Sequence, residues 1–266
     1  MHPVLFKIGS ITIYSYGFLI ALGVVFGVAY LAFRGKKEVA LTFDQANNLF
    51  LLIFIAALVG GKLFLLFENT SLYLNNPKRL LTGSGFVFYG SFLFAVPTML
   101  WYFRMNKLPV YQMLDIMAIV TCLVHMFGRV GCFMAGCCYG KPTDSFFGVV
   151  FTDPACQANP LNTPLFPTQL MEAGFILVVM LFLLYKRERK QFQGQLFLLY
   201  LMLYAGGRFV LEYFRGDAVR GFIIEDFLSN AQFVAVIIIA ITFYFYRSWS
   251  IKNRIAGRIP TFKAKK

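Results

Sequence analysis

The residues with the clearest chemical meaning are basic side chains inside apolar segments. Arg129 interrupts one apolar run just before a segment rich in glycine and cysteine, and Arg208 interrupts another. Inserting a guanidinium into a membrane costs about 2.5–3.5 kcal/mol on insertion scales, so such a residue is normally matched with a partner or a ligand. Arginine also binds phosphate through paired hydrogen bonds. The sequence therefore predicts an anion-binding site beside Arg129.

A second polar pattern lies in the apolar run around Arg208. Tyr204, Arg208, Glu212 and Arg215 follow one another at spacings of four, four and three residues. On a helix they fall within about 80° of arc, which makes one polar stripe. The stripe is either a structural ladder of paired charges or a phosphate site in which Glu212 orients one or both arginines. We favour the phosphate site, because two arginines against one carboxylate leave net positive charge.

Other polar residues add to this interpretation. By itself, Arg129 is equally consistent with a structural contact and with a ligand contact. Lys62 and Arg208 lie at a similar predicted depth, which favours contact with a ligand. His125, one helical turn before Arg129, is interpreted as a packed, hydrogen-bonded histidine rather than a catalytic one. Glu172, near the start of a later helix, is a candidate partner for an arginine across the bundle.

Four cysteines lie at or beyond the end of the run that contains Arg129: Cys132, Cys137, Cys138 and Cys156. A zinc site needs four good ligands, and no second histidine is near, so we predict no metal ion and no cofactor. A disulfide involving Cys156 and a catalytic thiol are alternatives. We prefer the interpretation that these cysteines are small structural residues near a bend in the backbone.

Composition places these residues in a membrane. Of 266 residues, 59% are hydrophobic and 14% charged, which indicates an all-α polytopic membrane protein with a single integral-membrane domain over residues 1–266. The net charge of +13 does not indicate nucleic-acid binding, because the basic residues form short clusters between apolar segments. The amino terminus lacks a basic stretch before an apolar core, so no cleaved signal peptide is expected.

Apolar runs predict about seven transmembrane helices. Their approximate bounds are about 11–33, 46–67, 86–104, 113–133, 168–185, 194–214 and 230–247. Sixteen Lys and Arg residues fall in the loops and tail of one side and six on the other. The positive-inside rule then predicts an outer amino terminus and a cytoplasmic carboxyl terminus. The outer side carries the loop 134–167, the glycine-rich stretch 82–85 and the loop 215–229.

Several motifs occur together in a fixed order along nearly the whole chain. They are Tyr16-Gly17, the Gly-Gly-Lys step at 60–62, the glycine-rich entry to the third helix, Gly128-Arg129-x-Gly131, the Pro-x-Gln-Leu-x-Glu run at 167–172, and the stripe from Tyr204 to Arg215. In this combination the chain resembles the bacterial prolipoprotein diacylglyceryl transferases.

The resemblance implies a seven-helix bundle in the bacterial inner membrane, with a site open to the outer leaflet and periplasm. It implies transfer of the diacylglyceryl group of phosphatidylglycerol to the lipobox cysteine thiol of a prolipoprotein signal peptide, which forms a thioether and releases glycerol-1-phosphate. The resemblance assigns functional positions to Arg129, Arg208, Tyr204, Glu212 and Tyr16.

The resemblance and the residue patterns together give the full set of candidates. Arg129, Arg208 and Glu212 are the catalytic candidates, with Tyr89 as proton acceptor or hydrogen-bonding group. Candidate substrate-binding residues are Arg129, Arg208, Tyr204, Tyr16, Gly90, Lys62, Arg215 and Gln169. A thiolate stabilised by positive charge alone would need no dedicated base.

Three positions depart from the family pattern. Tyr89-Gly90-Ser91 stands where the family commonly has His-Gly-Gly, Cys132 replaces an asparagine, and Cys137 replaces a glutamate. Two alternatives therefore stay open. One is a paralogous membrane enzyme that moves the same or a related lipid group to a different acceptor. The other is a phospholipid-binding or transport protein without covalent chemistry, although no internal repeat typical of transporters is evident.

Overall fold

The computed structural model describes residues 1–9, 11–68, 70–75, 87–216, 222–224 and 228–255. Its helices are α1 (Ser15–Val39), α2 (Phe43–Glu68), α3 (Thr70–Asn75), α4 (Phe88–Met105), α5 (Val110–Ala135), α6 (Thr168–Arg187), α7 (Gln195–Leu211) and α8 (Asn230–Ile255). Three short antiparallel pairs join β1 (Val4–Ile8) to β2 (Ile11–Tyr14), β3 (Val149–Val150) to β4 (Pro164–Leu165), and β5 (Phe222–Ile224) to β6 (Leu228–Ser229).

The predicted polytopic all-α membrane architecture is confirmed. Each of the seven predicted spans overlaps a long helix, and six of these helices are long and apolar enough to cross a membrane: α1, α2, α5, α6, α7 and α8. The seventh, α4, has 18 residues and contains Pro97 and Arg104. These two residues reduce its apolarity, so α4 is the weakest membrane segment among the described helices.

The first helix begins later than predicted. Residues 11–14 form β2, whose β-branched and aromatic side chains suit an extended conformation, and they pair with β1. The chain then turns into α1 at Ser15, whose backbone N–H donates to the carbonyl oxygen of Pro3 at 2.9 Å. The helix continues to Val39, with Lys36 and Lys37 in its last turn, where positive charge is favourable.

The described chain forms two compact units, residues 28–113 and residues 1–27 with 114–266. In the unit 28–113, α2 and α4 touch through glycine backbone. A Cβ atom on Gly60 would lie 2.3 Å from the carbonyl oxygen of Gly90, and one on Gly90 would lie 2.4 Å from that of Gly60. Small residues allow this approach between membrane helices. Gly60 and Gly90 therefore serve helix packing, whereas the stretch 82–85 lies outside the described residues.

In the other unit, α5 and α7 are joined by a buried carboxylate. Asp115 accepts hydrogen bonds from the backbone N–H groups of Gly194, Leu196 and Phe197 at 2.9–3.2 Å, and Lys190 Nζ lies 3.1 Å from its Oδ2. The first N–H groups of a helix have no partner within the helix. Asp115 satisfies them from a neighbouring helix and so fixes the start of α7 against α5.

The segment between α5 and α6 has a small core of its own. Phe151, Cys156, Ala158 and Leu165 are buried together, and the Phe133 ring packs edge-on against Phe151 at 5.9 Å. The predicted loop 134–167 is therefore an ordered cap on the helix ends. Its glycine and cysteine residues are held in defined positions.

Candidate active site

Three helices of one unit meet at the buried carboxylate of Glu172. This residue lies in the second turn of α6, which begins directly after Pro167. Its Oε1 atom lies 3.0 Å from Arg129 Nη2 on α5 and accepts a hydrogen bond of 3.0 Å from the Tyr204 hydroxyl on α7. The arginine partner suggested for Glu172 by the sequence is thus Arg129.

His125 completes this group. Its Nε2 atom lies 3.4 Å from Glu172 Oε1 and accepts a hydrogen bond of 3.3 Å from Arg129 Nε. The imidazole also packs edge-on against the ring of Tyr204, with 5.1 Å between centroids. His125 is therefore packed and hydrogen-bonded, and it fixes the guanidinium of Arg129 from one side.

Arg208 is paired with a different carboxylate, that of Glu212. Its Nη1 atom lies 2.8 Å from Oε2 of Glu212, which is buried in the 3₁₀ turn Glu212–Phe214 after α7. The sequence suggested Arg208 and Arg215 against the single carboxylate of Glu212. The structure adds a second pair, Arg129 with Glu172, so these three arginines and two glutamates keep a net positive formal charge.

The cysteine cluster consists of Cys132, Cys137 and Cys138, whose sulfur atoms all lie within 4.8 Å of one another. The backbone reverses direction at the end of α5 to bring them together. Gly136 has φ +74°, a conformation that suits glycine, and Cys138 has φ +60°, which is uncommon for a residue with a side chain. The backbone N–H of Cys137 donates to the carbonyl oxygen of Cys132 at 3.1 Å.

The start of α6 holds this reversal in place. The hydroxyl of Thr168 donates to the carbonyl oxygen of Cys138, and Gln169 Nε2 donates to that of Cys137, both at 2.7 Å. Both donors are buried. Oε1 of Gln169 is also buried and makes no hydrogen bond to the described residues. Gln169, predicted to bind substrate, is therefore placed where it supports the cysteine cluster.

Two arginines act on the cysteine cluster. Hydrogen bonds from the Cys132 and Cys137 thiols hold the pKa of Cys138 well below its ordinary value, and the charges of Arg129 and Arg215 lower it further. Hydrogen bonds with the thiols of Cys132 and Cys138 raise the pKa of the Cys137 thiol. Cys138 is thus the thiol of the cluster that ionises first. The arrangement links the cluster electrostatically to the arginine that binds Glu172.

Tyr16 lies at the start of α1, against α5. A Cβ atom on Gly131 would meet the Tyr16 ring at 3.1 Å, so the glycine permits this close approach. The motif residues Tyr16 and Gly131, far apart in sequence, are therefore neighbours beside the cluster.

The predicted site residues divide between the two units. Seven belong to the unit that contains the cysteine cluster: Tyr16, Arg129, Gln169, Tyr204, Arg208, Glu212 and Arg215. Lys62, Tyr89 and Gly90 belong to the unit 28–113, where Gly90 packs against Gly60 and the Tyr89 side chain is exposed. The structure brings Arg129 of α5 and Tyr204 of α7 to the carboxylate of Glu172.

Sequence reasoning understated two contributions. It treated Glu172 only as an arginine partner, and it did not single out Thr168 as a support of the cysteine loop. A usable signal was present, because Thr168, Gln169 and Glu172 occupy the first two turns of a helix that begins after a proline. Polar residues in the first turns of an apolar helix are candidates for contacts with a neighbouring loop.

The chain matches a known protein family. Residues 3–247 match the family described as prolipoprotein diacylglyceryl transferase. The chain is 36% identical over 247 residues to the phosphatidylglycerol–prolipoprotein diacylglyceryl transferase of Clostridium tetani, covering 92% of this chain and 97% of that protein. It is 32% identical over 256 residues to such a transferase of Clostridium perfringens, numbered 2, covering 96% and 98%. For that of Photobacterium profundum the identity is 32% over 244 residues, covering 88% of each chain.

The match extends over most of the helices, and several relatives exceed 30% identity over nearly their full length. The polar groups on α5, α6 and α7 all lie within the matched residues. The chain belongs to the prolipoprotein diacylglyceryl transferase family.

Proposed function

We propose that this protein transfers the diacylglyceryl group of phosphatidylglycerol to the lipobox cysteine thiol of a prolipoprotein. The products are a thioether-linked lipid and glycerol-1-phosphate. The observation that carries the proposal is that Glu172 on α6 joins Arg129 on α5 to Tyr204 on α7, one helical turn before Arg208. The names of the relatives support the choice of lipid and acceptor.

Arg129 and Arg208 form the clamp for the phosphate in this mechanism. As the bond between carbon and phosphate oxygen breaks, negative charge grows on the leaving glycerol phosphate. Guanidinium groups already in place stabilise that charge more in the transition state than in the bound lipid, which lowers the barrier. Arg215 adds positive charge on the same side, next to Cys138.

Glu172 and Glu212 act as positioning residues. Each carboxylate lies at 2.8–3.0 Å from a guanidinium nitrogen and restricts the conformations of that side chain. The hydroxyl of Tyr204 holds Glu172 in turn. An arginine fixed in this way loses less conformational entropy when it binds a phosphate. Tyr204 and Tyr16 also shape the space for the head group.

The acceptor thiol has to react as a thiolate, since the thiol is a poor nucleophile. In this proposal positive charge from the arginines favours the thiolate, and Tyr89 contributes a hydrogen bond rather than acting as the base. Lys62 and Gly90 are proposed substrate-binding residues. These three roles derive from the motif positions of the residues.

The protein lies in the bacterial inner membrane, with its amino terminus in the periplasm and its active site toward the periplasmic leaflet. This orientation follows from the excess of Lys and Arg in loops on the opposite side, sixteen residues against six. Phosphatidylglycerol then enters from the bilayer, and the signal peptide presents its cysteine at the same leaflet.

The direct test is mass spectrometry of a synthetic lipobox peptide incubated with phosphatidylglycerol and the purified protein. The expected result is a mass gain of one diacylglyceryl group on the cysteine, with release of glycerol-1-phosphate. A peptide with serine in place of that cysteine is the matched control. An unmodified cysteine peptide in the presence of active lipid turnover would contradict the proposal.

A paralogous enzyme with a different acceptor is the second candidate. Tyr89, Cys132 and Cys137 favour it, because these are the positions at which the chain departs from the family pattern. In the same assay, this candidate predicts release of the head group without modification of the peptide. A protein that only binds or transports phospholipid would give neither product.

A further inference from the structure

The cysteine cluster has the ligand type of a metal site, although the sequence alone led us to predict no metal ion there. Its three sulfur atoms lie within 4.8 Å of one another, each is partly buried, and none is in a disulfide. Tetrahedral zinc with Zn–S bonds of about 2.3 Å sets its sulfurs about 3.8 Å apart, so a contraction of at most about 1 Å would complete the geometry. Side-chain rotation alone can supply such a shift.

The number of ligands is also informative. Among the described residues, no fourth cysteine, histidine, aspartate or glutamate joins the cluster. Structural zinc sites are closed by four protein ligands, whereas catalytic sites have three and keep one position for water or substrate. Three cysteines beside a reaction centre match the second pattern.

The backbone of the cluster is held independently of its sulfur atoms. Thr168 and Gln169 bind the carbonyl oxygens of Cys138 and Cys137, and the Cys137 N–H is bound by Cys132. The loop is thus preorganised by contacts that do not involve the thiols as hydrogen-bond acceptors. Such support around the ligands is typical of metal sites.

We propose that Cys132, Cys137 and Cys138 bind a Zn²⁺ ion through three thiolates and that the acceptor cysteine takes the fourth position. The catalytic half of this proposal rests on the proposed transfer to a cysteine thiol. Soft thiolate ligands select zinc over the hard cations magnesium and calcium. A thiol bound to the ion is deprotonated outright, which supplies the thiolate without a protein base.

The chemical step balances without an oxidant or reductant. The acceptor thiol releases its proton to solvent as its sulfur binds the ion. The sulfur then forms a bond to the glyceryl carbon that carries the phosphate, the carbon–oxygen bond breaks, and its electron pair leaves on glycerol-1-phosphate. The thioether sulfur is a weaker ligand than a thiolate, so the product dissociates from the ion.

The surrounding charge suits such an ion. Zinc with three thiolates carries a net charge of −1, and a fourth thiolate makes it −2. Arg129 and Arg215 both act on Cys138 and offset this charge. Arg129 also belongs to the proposed phosphate clamp, so the two reactants would meet on either side of it.

The first measurement is the metal content of the full-length protein, purified in detergent without chelators and with zinc supplied during growth. We expect about one zinc per chain. Replacing zinc with Co²⁺ should give the intense near-ultraviolet charge-transfer bands of cobalt thiolates. Cys137→Ala should lose both signals, whereas Cys122→Ala, a buried cysteine on α5 outside the cluster, should keep them.

The second measurement is transfer to the lipobox peptide as a function of pH. The zinc-loaded enzyme should show a rate nearly independent of pH between about 6 and 8, because the acceptor is already a thiolate. The Cys137→Ala variant should be slower, and its rate should rise about tenfold per pH unit, as expected for a free thiol with a pKa near 8.5.

These outcomes separate the two proposals. Transfer by a zinc-free wild type, unaffected by added Zn²⁺ or a chelator, overturns the zinc proposal and leaves the transferase function intact. A disulfide between two of the three cysteines in the freshly purified, active protein also overturns it. Bound zinc without transfer to any lipobox peptide overturns the transferase function and the catalytic half, while the metal site stands.

Discussion

Two carboxylates in the same unit differ in what surrounds them. Asp115 is 1% exposed, and three of its partners are backbone N–H groups at the start of a helix. Glu172 is 3% exposed, and its partners are the side chains of Arg129, Tyr204 and His125. The backbone N–H groups only fix the start of the helix, whereas an arginine side chain can replace its carboxylate partner with a bound phosphate. The kind of hydrogen-bond partner therefore distinguishes a structural carboxylate from one that belongs to the active site.

The strongest test of this contrast is Arg208→Lys. An ammonium cannot reproduce the paired hydrogen bonds of a guanidinium to phosphate, so we expect kcat to fall about 10²–10³-fold, the usual loss for a charge-stabilising donor. The matched control is Arg189→Lys, because Arg189 stacks on Tyr185 away from the carboxylate cluster. Equal rates for the Arg208→Lys variant and wild type in the peptide assay would remove the clamp from the mechanism.

Glu172→Gln keeps the shape of the side chain but removes its charge. Hydrogen bonds to charged groups contribute about 1.5–3 kcal/mol, so we expect kcat to fall about 10- to 150-fold. The thermal unfolding midpoint in detergent should fall as well, because Arg129 loses its buried carboxylate, but the loss of kcat per folded molecule is in addition to that. A loss of folded protein with normal kcat per folded molecule would make Glu172 structural, like Asp115.

Asp115→Asn is the reciprocal experiment. The amide nitrogen cannot accept the N–H of Gly194 or pair with Lys190, and a buried donor left without a partner costs about 1–3 kcal/mol. We expect a lower unfolding midpoint and a kcat per folded molecule close to wild type. A catalytic defect in a protein of unchanged stability would break the distinction between the two carboxylates.

Tyr204→Phe should have the smallest effect. It removes one neutral donor to Glu172 and leaves Arg129 in place, so we expect at most about a tenfold loss in kcat. Tyr185→Phe, on an exposed tyrosine of α6, is the control and should match wild type. A loss comparable to that of Arg208→Lys would mean that Tyr204 contacts the reacting lipid directly.

Sequence reasoning identified the helices and the arginines because a membrane imposes strong rules. An apolar run of about 20 residues has few alternatives to a helix, and a charge within it is conspicuous. The strand at 11–14 was missed because its residues are as apolar as the helix that follows. The cap between α5 and α6 was interpreted as polar because its core consists of only a few residues, among them Phe151 and Leu165.

The pairing of charges could not be derived from spacing. Arg208 and Glu212 are four residues apart and pair as the periodicity indicates. The contact between Arg129 and Glu172, on two helices, depends on how α5 and α6 pack. The cysteine cluster depends on positive φ angles at Gly136 and Cys138, which bring Cys132 close to residues beyond the helix end. Long-range packing therefore decided which predicted residues meet.

The glycine contact between α2 and α4 bears on how the chain is made. Because Arg104 and Pro97 weaken α4 as a membrane segment, its release from the translocation machinery into lipid is favoured when α2 is already there to receive it. The two would then enter the bilayer as a hairpin. A Gly90→Ala substitution would therefore have its effect during biosynthesis. Newly made chains would be mistargeted and degraded.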